Sequence, residues 1–286
     1  MKNSNAMSVP LCLPFACFEF DSGNVSGFRE TRTHYFAEIL FVREGSLHLR
    51  LDQEEMTLHP GEAAIICPGA SHQVSPGDAE EIRLVMLRMD PDRLPEFPDY
   101  SPSLKSILAE AKRANISMRL SAEETAAVHL SELSVMCLQE FKARPFGFDL
   151  SITARLAVMW MHLLRYWIAR GLKLPKRETQ TDPIYSLTGY IQCHLRDNLR
   201  VEDLAARCGL SYPWFAKKFR EIYGVSCKDC IEQIRVARVE QFLLFTDMDL
   251  AEISKATGYA DCSHMIKNFK RVMDITPGQY RLRHRR

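Results

Sequence analysis

The sequence predicts an α+β protein of two domains, and three observations carry that prediction. Its 286 residues exceed what one compact core usually holds. From Glu38 to Met89, short apolar runs alternate with turn signals, the mark of antiparallel strands. Beyond Pro183 the apolar spacing becomes helical and the pattern repeats once, which predicts an all-α second domain.

Composition narrows the class. With 46% apolar and 26% charged residues, the chain is neither fibrous nor disordered. The net charge of +1 conceals an asymmetry: residues 184–286 hold 17 Lys and Arg against 12 Asp and Glu, which is +5, and the remainder carries −4. The anion-seeking end is therefore C-terminal. The longest apolar stretch, Leu156 to Ala169, is broken by His162 and Arg165 and is too short to span a bilayer, so no membrane partner is expected. Pro10 and Pro14 interrupt the N-terminus, no secretion signal is read, and a cytoplasmic location is expected. Nine cysteines without paired spacing fit free thiols.

Within the β region, Ile39 to Val42 is an apolar run, Gly45 a turn, and Leu47, Leu49 and Leu51 share one strand face. His48 and Arg50 take the opposite face, which either lines the interior or lies in water. Pro60-Gly61 and Pro68-Gly69 punctuate the strands, Glu81 to Met89 forms another, and the proline-rich stretch Asp90 to Pro102 ends them. Helices are predicted over Ala122 to Arg144 and over Leu150 to Arg170, the latter from Ile152, Leu156, Met159, Leu163 and Trp167. The expected division is a β domain over 7–98, a helical region over 99–171, a linker over 172–183 and the second domain over 184–286.

In that domain Leu204, Gly209, Phe219 and Val225 recur as Ile253, Gly258, Phe269 and Ile275. In each copy a short helix, Val201 to Cys208 or Leu250 to Thr257, ends at a glycine suited to a left-handed turn, and a second helix follows. That is the helix-turn-helix pattern. Phe215, Phe219 and Ile222, or Met265, Phe269 and Val272, fall at i, i+4, i+7 and predict the core face. The other face carries Pro213, Ala216, Lys217 and Arg220, or Ser263, Lys267 and Lys270. Ser226-x-x-Asp229 and Thr276-x-x-Gln279 resemble capping boxes, and Asp182-Pro183 and Thr276-Pro277 place proline in a first helical turn. A helix from Cys227 to Phe245 joins the units. If rigid, it sets them about 34 Å apart, one duplex turn, so that both second helices reach successive major grooves.

These residues resemble a known family. Ile253 to Tyr259, Phe269-Lys270 and Ile275 to Arg281 look like the signature of the AraC/XylS transcription regulators, and the upstream unit matches in register. The resemblance implies a seven-helix DNA-binding domain, with recognition helices near Tyr212 to Glu221 and Cys262 to Arg271. Carried over by position, DNA contacts fall on Pro213, Ala216 and Lys217 in the first unit and on Ser263, His264 and Lys267 in the second. Pro213 and Ala216 depart from the long polar side chains common there, so base readout by the first helix is thin. Lys217, Lys218 and Arg220 are assigned mainly to phosphate, and Lys270 and Arg271 on the second helix are further candidate DNA contacts. Glu38 to Gly45, Leu58 to Glu62 and Ile66 to His72 are similar to the cupin-like sensor of the same family. The resemblance implies an antiparallel β-barrel that binds a small-molecule effector, an arm of about residues 8–20 folding over it, and homodimerisation through the helices after residue 100. Double-stranded promoter DNA is the implied partner, with RNA polymerase as a further one.

Arg32, His34, Glu38, His48 and His72 are the candidate effector contacts. His34, Glu38 and His72 sit where metal-binding cupins place ligands, but Arg32 occupies the position of another histidine. The set is incomplete, and neither metal nor cofactor is expected. The competing reading is a metal-dependent cupin enzyme fused to a DNA-binding module. Cys227 and Cys230 have the spacing of a redox pair but no second pair, and are read as a chance occurrence.

Overall fold

A computed structural model describes residues 13–21, 31–77, 81–92, 101–176, 183–197 and 199–284. They fall into two compact units, one built on Pro14–Gln180 and one on Thr181–Arg286.

The first unit contains strands β1 (Phe15–Asp21), β2 (Ala37–Glu44), β3 (Leu47–Leu51), β4 (Glu54–Leu58), β5 (Ala63–Ile66), β6 (His72–Pro76), β7 (Arg83–Met89) and β8 (Arg119–Leu120). Every pairing is antiparallel, and the strands form a five-stranded sheet, β1-β7-β2-β5-β8, and a three-stranded sheet, β4-β3-β6. One apolar cluster joins the sheets: Leu40, Val42, Ala64, Ile66, Leu84 and Met86 from the larger meet Leu47, Leu49, Leu51, Leu58 and Val74 from the smaller. Each fully buried leucine there contributes about 1.5–3 kcal/mol.

Four expectations are corrected. Among the described residues the two sheets do not close into a barrel; β8 at one edge is two residues long, too short to carry the ladder onward. Residues 15–20 are not a free arm but part of β1, paired in register with β7 from Phe15↔Met89 to Asp21↔Arg83; residues 8–12 lie outside the described residues. A helix the periodicity did not show, α1 (Leu104–Arg113), follows the proline-rich stretch. The helix expected over Ala122 to Arg144 is two, α2 (Ala122–Ala127) and α3 (Leu130–Ala143), because His129 between them is left-handed at φ 54°. A reciprocal cap between Ser121 and Glu124 starts α2, and the Thr125 hydroxyl donates to Gly61 O at 2.6 Å.

Helix α4 (Phe148–Ala169) buries Ile152, Leu156, Met159, Trp160, Leu163 and Trp167 on one stripe. Helix α3 packs on α4 and also on β1 and β7, where Phe141 meets Phe15 and Phe18 edge-on. The larger sheet is thus covered on both faces, which is why β2 is buried from Ala37 to Val42 without alternation.

The second unit begins with a 3-10 turn, Pro183–Ser186, so Pro183 opens that turn rather than an α-helix. Seven α-helices follow among the described residues: α5 (Leu187–Cys193), α6 (Val201–Arg207), α7 (Tyr212–Tyr223), α8 (Cys227–Phe245), α9 (Leu250–Ala256), α10 (Cys262–Met273) and α11 (Pro277–His284). Helix α8 packs against α5, α7, α9, α10 and α11. Ser226 Oγ accepts from Asp229 N at its start, and Thr276 and Gln279 form the full reciprocal pair before α11. No helix among the described residues is long and apolar enough to cross a membrane.

Both turn glycines take the left-handed region, Gly209 at φ 66° and Gly258 at φ 76°. A Cβ at Gly209 would meet open space, whereas at Gly258 it would lie 1.8 Å from Leu195 O. Gly209→Ala is therefore expected to cost about 1 kcal/mol from backbone strain alone. Gly258→Ala should cost roughly twice that or more, because overpacking adds to the strain. Urea unfolding of the two variants tests the ranking, and equal losses would refute it.

Candidate functional site

Helices α7 and α10 bury corresponding stripes. Phe215, Phe219 and Tyr223 face inward from α7; Met265, Asn268 and Phe269 face inward from α10. The third inward position differs from expectation in both, because Ile222 and Val272 are only half-buried. Opposite these stripes, Pro213, Lys217 and Arg220 are exposed on α7, with Ala216 and Lys218 half-buried. On α10, Ser263, His264, Lys267, Lys270 and Arg271 are all exposed. Lys217 Nζ stands 5.6 Å over the Trp214 ring and 3.9 Å from Glu221. Such an exposed pair is worth little and leaves the lysine available.

The amino end of α10 is held by Asp261, whose carboxylate accepts from His264 N at 2.7 Å. Beyond that cap the exposed Lys267, Lys270 and Arg271 form a basic surface suited to a polyanion. Of the terminal arginines, Arg281 donates to Met248 O at 2.6 Å and serves the fold; Arg285 and Arg286 lie outside the described residues. Cys227 and Cys230 are buried free thiols on α8, and burial pushes the Cys227 thiol up to about 12, so this pair is packing rather than redox chemistry.

Sequence reading missed two features here. Tyr212 and Trp214 are exposed at the start of α7, at 51% and 55%. Spacing assigned neither ring a role, and only the packing shows both on the surface. Asn268 is buried, a polar residue that periodicity alone places on the apolar stripe but does not explain.

In the β unit, His34, Glu38 and His72 come together. His34 Nε2 is 3.2 Å and His72 Nε2 3.5 Å from Glu38 Oε2, and Arg88 Nε donates to Glu38 Oε1 at 2.8 Å. Arg88, which sequence reading did not single out, is fully buried and sits over the rings of Phe18 and Phe36. Arg32 reaches the cluster through its backbone, which exchanges hydrogen bonds with His72 at 2.8 and 2.9 Å. Burial would raise the Glu38 carboxyl, but Arg88, His34 and His72 outweigh it and hold Glu38 well below the usual range. His72 is lowered, chiefly by burial, despite its proximity to Glu38.

His48 lies elsewhere. It and Arg50 occupy the outer face of β3, and with Glu55, Thr57, Gln73 and Ser75 they line a surface hollow of about 520 Å³. The five candidate effector residues therefore do not form one site. One nitrogen or oxygen from each of His34, Glu38 and His72 lies within 4.8 Å of the others, near enough to hold a metal ion. A cation there would stand beside the Arg88 guanidinium, which already neutralises Glu38.

Comparison with known families adds two matches: an AraC-like ligand binding domain over residues 17–133 and a helix-turn-helix domain over 204–283. Together they take in more than half of the chain. The chain belongs to the AraC-type transcriptional regulators. The AraC-type chain is 18% identical to the HTH-type transcriptional regulator YdeC of Bacillus subtilis, over 94% of this chain and 92% of the relative. The regulatory protein PocR of Salmonella typhimurium is 32% identical over 32% of this chain and 30% of its own length. Among solved structures, the DNA-binding domain of AdpA in complex with a target DNA is 25% identical, covers 36% of this chain and 93% of that one, and has a TM-score of 0.35. The helical unit of this AraC-type regulator is thus its DNA-binding domain, and the β unit its ligand-binding domain.

Within that ligand-binding domain the Glu38–Arg88 pair makes a sharp stability prediction. Arg88→Met leaves a buried carboxylate without its guanidinium and should cost about 3–5 kcal/mol in urea unfolding, whereas Glu38→Leu with Arg88→Met should recover most of it. Glu38 and His72 are both lowered on folding. Each stabilises above its unfolded value, about 4.3 for Glu and 6.5 for His, and loses that contribution as pH falls below it. Stability should decline from about pH 6.5 downward in the native chain, and less steeply in the double variant. A flat profile would refute the assignment.

Proposed function

We propose that α7 and α10 enter successive major grooves of double-stranded promoter DNA, and that a small-molecule effector bound to the β unit alters this binding. The observation that supports it is the matched burial of the two helices, each of which turns the same face inward and leaves lysine and arginine outward. The second helix carries the base readout, through Ser263, His264 and Lys267, because Pro213 and Ala216 offer little to a base edge. Lys217, Lys218, Arg220, Lys270 and Arg271 contact phosphate.

A homodimer formed through α4 fits the same reading. Leu150, Ala154, Val158 and Ile168 are exposed along one stripe of that helix, with Phe146 just before it 87% exposed. Arg32, His34, Glu38 and His72 form the effector-responsive cluster in this reading, organised by ion pairing with Arg88 rather than around a metal.

Gel-shift titration against the chain's own upstream region, at several salt concentrations, tests the DNA reading. Arg220→Ala is expected to weaken binding to all sequences alike and lower the salt slope by about 1. Lys267→Ala should cost about 1–3 kcal/mol on the preferred sequence and much less on unrelated DNA. Equal losses on both DNAs for both variants would sink the division, and no sequence-preferring binding would sink the function. For the cluster, elemental analysis of the purified protein is expected to find no stoichiometric metal. Iron, manganese or zinc that disappears in His34→Ala and His72→Ala would restore the enzyme reading.

A further inference from the structure

The second helix-turn-helix unit contains a buried polar chain that ends on its exposed face. Glu232 on α8 and Asn268 on α10 are 7% and 9% exposed. Asn268 Nδ2 donates to Glu232 Oε2 at 2.6 Å, and the same nitrogen lies 2.9 Å from His264 Nε2, one turn earlier on α10. Arg235 Nη1 takes the other carboxylate oxygen of Glu232 at 3.5 Å. The exposed His264 ring also meets Tyr259 edge-on, at 5.4 Å and 86°.

The hydrogens follow from the partners. A carboxylate only accepts, so Glu232 fixes the rotation of the Asn268 amide with nitrogen, not oxygen, facing it. That nitrogen has two hydrogens. One goes to Glu232, and the other points at His264 Nε2, which must then present a lone pair. The imidazole proton is left on Nδ1, the tautomer a free imidazole favours less. Two neighbours therefore hold the ring, and its remaining polar edge is a donor on an exposed side chain.

We propose that Glu232 and Asn268 are positioning residues that hold His264 in the Nδ1–H tautomer, a preset hydrogen-bond donor for a base-edge acceptor such as a purine N7. Such acceptors line the major groove, where purine N7 and guanine O6 accept. A ring with its tautomer already chosen needs no rearrangement on binding, and rejects a cytosine or adenine amino group that only donates. The proposal rests on the reading of α10 as a groove-entering helix, and the experiment separates the two.

The full chain labelled with ring-15N histidine is examined by long-range proton–nitrogen spectra, with the His264 signal identified by its loss in His264→Gln. Native protein and Glu232→Gln, which keeps an acceptor for Asn268, should show the Nδ1–H form. Asn268→Leu and Glu232→Leu should shift toward Nε2–H. In parallel, each protein selects sequences from a randomised duplex pool. Preference at one base position should fall about tenfold in Asn268→Leu, the low end of what one base contact supplies, and should persist in Glu232→Gln. An Nε2–H tautomer in the native chain overturns the positioning role without touching the DNA reading. Unchanged base preference in Asn268→Leu and His264→Gln overturns the specificity role. Native protein that selects no sequence overturns the proposal through the DNA reading itself, whatever the spectra show.

Discussion

The second unit depends on the burial of α8 from nearly every side. Cys227, Cys230, Ile231, Ile234, Val236, Ala237, Val239 and Leu243 point in several directions around the helix, and five other helices cover them. A helix apolar on one stripe can shed its neighbour; one enclosed all round cannot move without exposing another face. Because α7 and α10 both pack on α8, their outward faces are set by the same rigid element. The basic surfaces follow from what is left over after Phe215 and Phe219, or Met265 and Phe269, have been buried.

Polar groups inside this packing are satisfied across helices. Tyr280 donates to Glu240, tying α11 to α8, and Asn268 donates to Glu232, tying α10 to it. Each carboxylate would be costly if unpaired, so these bonds specify register as well as adding stability. The β unit uses the same device at a different scale. Arg88 is buried between aromatic rings and pairs with Glu38, and the two histidines converge on the same carboxylate. Replacing such a pair by apolar groups often costs nothing. At the junction of β2, β6 and β7 the pair therefore fixes which strands meet rather than adding net stability.

Much of the helical unit was legible from spacing. The repeat of Leu204, Gly209 and Phe219 in Ile253, Gly258 and Phe269 located both turns, and the span Cys227 to Phe245 of the joining helix agrees with the structure. The β unit was less legible. Alternation identified β3, but β1 was read as an arm on the family resemblance, although Pro14 and the run Asp21-Ser22-Gly23-Asn24 bound Phe15 to Phe20 in the sequence. The break between α2 and α3 turns on a histidine in the left-handed region, which no periodicity reveals. His48 alternates correctly with Leu47 and Leu49, yet alternation cannot say whether the second face meets water or an interior.

The sequence by itself determined the two-unit division of apolar pattern, the helix-turn-helix repeat and the basic character of its outward faces. These are properties of local spacing and charge, which each segment carries without its neighbours. Tertiary structure decided that the strands stack as two sheets, that Arg88 neutralises Glu38, and that Asn268 connects Glu232 to His264. Such partnerships join residues 36 to 50 positions apart. Only the packed core brings them within hydrogen-bonding reach, and only burial makes their pairing obligatory.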